Sequence, residues 1–208
     1  MRNQAPGLVF IISAPSGAGK TSLVAAIRER LGDLELSVSH TTRKPREGEV
    51  DGEHYHFVSR SEFEAEIEAD SMLEHAVVFG NLYGTSAKFV EQLTRDGADV
   101  ILEIDWQGAE QARKKLSDQV SIMILPPSLA ELENRLRSRG KDSEDVILRR
   151  LGSARAEMSQ AKNFDYLIVN EDFKSAADEL ASIITAERTR TARTLQRRDD
   201  VVPSLIGD

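Results

Sequence analysis

Leu8-Val9-Phe10-Ile11-Ile12 runs directly into Ser13-Ala14-Pro15-Ser16-Gly17-Ala18-Gly19-Lys20-Thr21, and then into helical periodicity over residues 23–31. The first five residues are all apolar and include β-branched Val9, Ile11 and Ile12, the pattern of a strand buried on both faces of a parallel sheet. The stretch after them suits a loop that wraps a phosphate. Its glycines let successive backbone N–H groups curl around phosphate oxygens, and the N-terminus of the next helix adds its dipole. In this strand, loop and helix context Lys20 is expected to reach the β and γ phosphates of a nucleoside triphosphate. The Thr21 hydroxyl is expected to coordinate Mg²⁺. The candidate triphosphate site is therefore Ala14, Pro15, Ser16, Gly17, Ala18, Gly19, Lys20 and Thr21. The general pattern opens on glycine where this chain has Ala14, which alanine tolerates if that position keeps a negative φ.

Outward from the loop, similar apolar runs recur at Val100-Ile101-Leu102 with Ile104, at Ile122-Met123-Ile124-Leu125 and at Tyr166-Leu167-Ile168-Val169. Helix-like stretches separate them, among them residues 176–184 and a helix opened by the capping box Ser128-Leu129-Ala130-Glu131 and expected to run to Gly140. Strands alternating with helices predict an α/β fold: a three-layer phosphate-loop core around a central parallel sheet. Two stretches break the alternation. Residues 37–79 carry Gly48, the turn pair Asp51-Gly52 and short aromatic and β-branched segments at 55–58 and 76–79, which reads as a small antiparallel insert. Residues 132–153 are rich in cations, with Arg135, Arg137, Arg139, Lys141, Arg149 and Arg150 on helices broken at Gly140. Such a run is either a solvated helical face or a mobile set of charges that closes over a ligand. Beyond Arg188 the charged tail reads as a helix end followed by disordered residues.

Composition narrows the classes. A chain of 208 residues that is 40% hydrophobic and 30% charged fits one core with inserted lobes better than two independent domains. A net charge of −8 leaves no broad basic surface for nucleic acid or an anionic membrane, so an anionic ligand must be held at a focused cationic point. With no cysteine there are no disulfides, no Cys-ligated zinc or iron–sulfur cluster and no thiol catalysis, which fits a reducing cytoplasm. The apolar run at 8–12 is too short for a membrane span or a signal-peptide core. Oligomeric state stays open, and a homo-oligomer is compatible with the sequence.

The loop alone means nucleoside triphosphate, and three readings compete for the reaction. A GTPase is suggested by Asp105-Trp106-Gln107-Gly108 behind a buried strand, yet the base-reading Asn-Lys-x-Asp occurs nowhere in the chain. An ATPase motor or transporter subunit would need more chain and partner-facing signatures, which this sequence does not offer. A small kinase needs a second pocket for a phosphate acceptor and cations that close over the transferring group, and the two interruptions are placed to supply them.

The segment Ser37-Val38-Ser39-His40-Thr41-Thr42-Arg43-Lys44-Pro45-Arg46-Glu47-Gly48-Glu49, followed by Gly52, Tyr55 and Phe57, closely resembles the acceptor-binding signature of guanylate kinases. The likeness continues through Phe79-Gly80-Asn81-Leu82-Tyr83-Gly84-Thr85-Ser86, Glu103-Ile104-Asp105-Trp106-Gln107-Gly108 and Ile124-Leu125-Pro126-Pro127-Ser128. It covers a single domain over residues 7–188, with a mixed α/β insert at about 37–90, a helical lid at about 130–158 and a tail at 189–208. The family's phosphate loop often opens on alanine, as here. The resemblance implies Mg²⁺-dependent transfer of a phosphoryl group from ATP to GMP, giving ADP and GDP, with no nucleic acid or membrane partner. The family also has a non-catalytic scaffold branch, in which the phosphate loop and lid arginines are expected to be eroded. Here Lys20, Thr21, Arg139 and Arg150 are all present.

By the same resemblance Ser39, Arg43, Arg46, Tyr55 and Tyr83 form the GMP phosphate site, with the arginines forking onto its oxygens. Guanine offers N–H donors at N1 and N2, so its reader is a carboxylate: Glu74, with Thr85 and Asp105 alongside. Glu103, with Asp105, is expected to hold waters on the metal or to contact guanine. Lys20, Arg43, Arg139 and Arg150 are expected to gather around the transferring group, with Arg135 assisting near adenine. An ionised acceptor phosphate needs no base, so His40, His54, His56 and His75 are expected to be structural or surface residues.

Overall fold

In a computed structural model, described for residues 5–78, 80–138, 143–199 and 201–207, the chain builds two sheets. The larger has five parallel strands in the order β2 (Leu34–Leu36), β7 (Asp99–Glu103), β1 (Val9–Ser13), β8 (Gln119–Leu125) and β9 (Tyr166–Val169). The four apolar runs are thus four of its strands. The fifth, β2, is an edge strand of three residues with one buried side chain, too short to show a period. One face packs Phe10, Ile12, Ile122, Ile124 and Ile168 against helix α1 (Lys20–Arg30) and helix α7 (Phe173–Arg188). The other packs Val9, Ile11, Leu102 and Met123 against helix α3 (Ala87–Arg95) and helix α4 (Trp106–Lys115). A central strand facing helices on both sides has no polar face, which is why its residues read as an unbroken apolar run.

The insert is a four-stranded sheet ordered β4 (His56–Phe57), β3 (His40–Thr41), β6 (Asn81–Ser86) and β5 (Met72–Val78). It is mixed, not purely antiparallel: β3 runs parallel to β4 and antiparallel to β6. The crossover between β3 and β4 carries the signature loop, and a connection of this length permits parallel pairing where a tight hairpin forbids it. Helix α2 (Arg60–Glu68) follows, opened by a Ser59–Glu62 capping box, and buries Phe63 against Met72 and Leu82. The strand expected at 76–79 begins earlier, at Met72; Phe79 lies outside the described residues.

Helices α5 (Leu129–Ser138) and α6 (Glu144–Ser159) pack through Leu132, Leu136, Ile147 and Ala154. Ser128 Oγ accepts the Glu131 N–H at 3.0 Å, so the helix starts where the capping residues put it. Arg139, Gly140 and Lys141 lie outside the described residues, so the break expected at Gly140 is not traced.

The tail departs from expectation. Helix α8 (Thr191–Arg197) follows α7 closely, and Arg193 is buried, bonded to the Asp118 carboxylate and to Pro6 O. Arg197 Nη2 reaches Asp99 Oδ1 at 3.1 Å, while Arg188 Nε bonds Asp99 Oδ2 at 2.6 Å. Nothing local in the sequence marks this order, because the partners Asp99 and Asp118 lie between 75 and 98 residues away.

Candidate active site

The phosphate loop sits at the carboxyl end of β1, where the sheet's neighbours diverge to β7 on one side and β8 on the other. That switch point is where open α/β sheets bind ligands. Gly17 and Gly19 have φ of 98° and 97°, in the left-handed region that side chains avoid, and Gly19 caps α1. Ala14 is not among the residues with positive φ, so its methyl group is harmless there. Pro15 O accepts the Ala18 N–H at 3.1 Å and closes the loop. The loop, Ser22, Asp105 and Glu157 line a cavity of about 360 Å³. Lys20 donates to Ile104 O at 3.2 Å. Burial presses its ammonium below the usual lysine range, while Glu103, Asp105, Glu157 and Glu74 pull it back up.

Thr21 Oγ1 donates to Glu103 Oε1 at 2.5 Å. A hydroxyl and a carboxylate are hard oxygen donors, and Asp105 lines the same cavity, a set that suits Mg²⁺. Among the described residues no group of three or more His, Cys, Asp or Glu stands ready to cage a metal ion. Mg²⁺ is usually bound by one or two protein oxygens together with substrate phosphates and water. Asp105 also accepts the Gly108 N–H at 2.8 Å, capping α4.

In the insert, three of the predicted acceptor residues, Arg43, Tyr55 and Tyr83, meet one another. Arg43 Nε donates to Tyr83 Oη at 3.2 Å, and its guanidinium carbon lies 5.4 Å from the centre of the Tyr55 ring. Tyr55 and Tyr83 meet edge to face, 5.8 Å apart. Ser39 stands just before β3, its carbonyl accepting the His56 N–H at 2.9 Å. Arg46 is exposed and donates through its backbone to Glu49 Oε2 at 2.7 Å. Glu49, quoted in the signature but given no role from sequence, makes a two-pronged pair with Arg43 at 2.9 and 2.8 Å. The pair and the Arg46 N–H hold the Glu49 carboxyl down to about 2.

Glu74 is 6% exposed, and its Oε1 accepts the Thr85 hydroxyl at 2.7 Å. Burial pushes its carboxyl up to about 7, with the Asp105 charge adding to the rise and Thr85 and Lys20 opposing it. Glu157, on α6, is likewise raised by burial and by Asp105. Its place in the phosphate cavity carried no sequence signal, because it sits at the end of a surface helix.

From the lid, Arg150 Nη1 lies 3.5 Å from Ser16 Oγ. Arg135 bonds Glu131 at 2.9 Å and Asn170 O at 3.0 Å. Asn170, buried at the end of β9, donates to Ala18 O at 2.7 Å and so braces the loop. Arg139 lies outside the described residues. His40 and His56 pack ring on ring at 4.7 Å inside the insert, and His54 Nδ1 accepts the Val50 N–H at 3.1 Å.

The structure thus holds a phosphate-loop cavity bordered by Asp105 and, in the insert, an arginine paired with Glu49 and a buried carboxylate bonded to Thr85. Residues 7–187 match the family described as Guanylate kinase. This chain belongs to the guanylate kinase family. It is 54% identical over 206 residues to the guanylate kinases of Escherichia coli K12 and Salmonella typhi, matching 98% of this chain and the whole of each relative. The crystal structure of guanylate kinase from Anaplasma phagocytophilum superposes with a TM-score of 0.74 at 35% identity, covering 96% of this chain and 98% of that one. Guanylate kinases are nucleoside monophosphate kinases, so this chain is a phosphotransferase of that class. Among the described residues no helix is long and apolar enough to cross a membrane.

Proposed function

We propose that the phosphate-loop cavity holds ATP and the insert holds GMP, and that the γ-phosphoryl passes between them to give ADP and GDP. The observation that carries this reading is that the buried Glu74 carboxylate packs against Gly108 in the first turn of α4, while the cap of that turn, Asp105, lines the phosphate-loop cavity, so the candidate base reader stands beside the triphosphate site. The loop N–H groups of residues 14–21 cradle the triphosphate, and Lys20 bridges its outer phosphates. Arg43, Arg46, Ser39, Tyr55 and Tyr83 hold the acceptor phosphate, with Arg43 exchanging Glu49 for that anion. Glu74 accepts guanine N–H donors, backed by Thr85 and Asp105. Arg135 lies at the adenine side, while Arg150 and Arg139 close from the lid to neutralise charge on the transferring group and exclude water. Thr21 is the residue for Mg²⁺, with Glu103 and Asp105 as its outer partners. When bound, the ion supplies charge neutralisation at the phosphates. The attacking oxygen already carries its negative charge, so position and electrostatics suffice.

Residues 7–188 form the working unit, with the insert at 37–90 and the lid at 130–158 as its moving parts. A cysteine-free chain suits the reducing cytoplasm, where both nucleotides occur. A coupled ADP-release assay with ATP and Mg²⁺ tests the reading, with GMP, AMP, CMP, UMP and dTMP offered separately. Fast release with GMP alone is expected. Equal release with AMP would remove Glu74 from its role as guanine reader.

A further inference from the structure

Helix α4 belongs to the core and strand β5 to the insert, yet the helix lies along the strand and grips its backbone. Gln111 meets the His75 peptide groups with both ends of its amide: Oε1 accepts the His75 N–H at 3.1 Å, and Nε2 donates to the His75 carbonyl at 3.0 Å. A side-chain amide carries one acceptor and a donor pair, so it pairs with a strand as a neighbouring peptide would. β5 is the edge of its sheet, and without such a cover these groups would face outward unpaired.

The grip matters because of where it falls. The β5 register against β6 slips between Met72 and Glu74, a bulge that puts two residues opposite one. Bulges turn a strand and re-aim its side chains, and locally they break the ladder that would hold that aim. α4 brackets the bulge. Lys115 Nζ bonds Met72 O at 2.6 Å on one side, and Gln111 takes His75 on the other. Gly108, one turn earlier on the same face of α4, comes so close to Glu74 that a methyl group there would sit 2.8 Å from Oε2.

We propose that Gln111 is a positioning residue for guanine recognition, fixing the His75 peptide groups after the bulge so that the Glu74 carboxylate meets both guanine N–H donors. The inference rests on the reading of Glu74 as guanine reader. A carboxylate set at the wrong angle still takes the N1–H but loses the 2-amino group, the one feature that separates GMP from inosine monophosphate.

The measurement is kcat/KM for GMP relative to inosine monophosphate, with KM for ATP and the melting temperature recorded alongside. Gln111→Met keeps the length and removes both bonds. It is expected to lower the ratio about tenfold while KM for ATP stays within about twofold. Gln111→Glu keeps the acceptor and loses the donor, and is expected to lower the ratio less; it serves if the methionine variant does not fold. In a Glu74→Gln background, Gln111→Met is expected to lower the ratio no further, since the two act through one carboxylate. A change in melting temperature with an intact ratio, or an equal rise in KM for both nucleotides, would make Gln111 mere glue between helix and strand. Additive losses would overturn the proposal too. If Glu74→Gln alone leaves the ratio intact, the fault lies with the reading of Glu74 itself.

Discussion

The two anion pockets proposed for this protein are built in opposite ways. The donor pocket is made of backbone: loop N–H groups, two glycines with φ near 98°, and a helix N-terminus, all hung on the fully buried β1. One side chain, Asn170 just past β9, braces it through Ala18 O. The acceptor pocket is made of side chains on a small insert whose core is Phe63, Met72 and Leu82. Its chief cation, Arg43, is already paired with Glu49 at 2.8 Å. A chain with net charge −8 has few ways to attract an anion. On the proposed reading, fixed dipoles serve the triphosphate, and Arg43, shielded by Glu49, with Arg46 serves the acceptor. Damage should therefore differ in kind: in the donor pocket it affects turnover with every acceptor, and in the acceptor pocket it falls chiefly on the use of one substrate.

Lys20→Met is the strongest test. It should lower kcat by roughly 10²–10³-fold, the scale for losing one preorganised donor to developing charge, whichever acceptor is supplied. Arg43→Met should instead raise KM for GMP by about 10²-fold with KM for ATP nearly unchanged, because it leaves Glu49 unpaired beside the incoming phosphate. Steady-state kinetics on both variants decides the matter, and a rise of both KM values in Arg43→Met would erase the division between the pockets.

Glu74 supplies the next test. Burial pushes its carboxyl up to about 7, and two N–H donors are met by the ionised form. As pH falls through about 7 the carboxylate is lost, so the ratio of kcat/KM for GMP to that for inosine monophosphate should fall several-fold between pH 8.5 and pH 5.5. Both acceptors carry the same phosphate, and both use the same Lys20 and Arg43, so those titrations cancel in the ratio. A ratio flat across that range would show that Glu74 stays ionised or does not read the 2-amino group.

Legibility followed the same division. The donor pocket was readable because backbone chemistry leaves a local mark: Gly17, Gly19, Lys20 and Thr21 must be close in sequence to share one loop. Four of five core strands were readable for a related reason, since burial on both faces removes polar residues from consecutive positions. The acceptor pocket joins Arg43 to Tyr83 and Glu74 to Gly108, across 40 and 34 residues, and no periodicity records such meetings. It became visible only through resemblance to a family. Glu157, Asn170 and Gln111 carry no local mark of a role, being ordinary polar residues on a helix or at a strand end until the fold brings them to the loop or to β5. The order of the tail is hidden for the same reason: nothing local shows that Arg193 and Arg197 meet Asp118 and Asp99.

Asn170→Ala is the mildest probe of the contrast and the sharpest about rigidity. The side chain is buried, and its Nδ2 spends a hydrogen on Ala18 O at 2.7 Å, inside the phosphate loop. Its removal leaves one buried carbonyl unsatisfied, a cost of about 1–3 kcal/mol that thermal unfolding would register. If the loop is a preformed cradle, losing one strut should loosen it only slightly, raising KM for ATP a few-fold and leaving KM for GMP where it was. A loop that needs Asn170 to take its shape would behave otherwise, with ATP binding lost by orders of magnitude. The donor pocket would then owe its form to a side chain after all, as the acceptor pocket does.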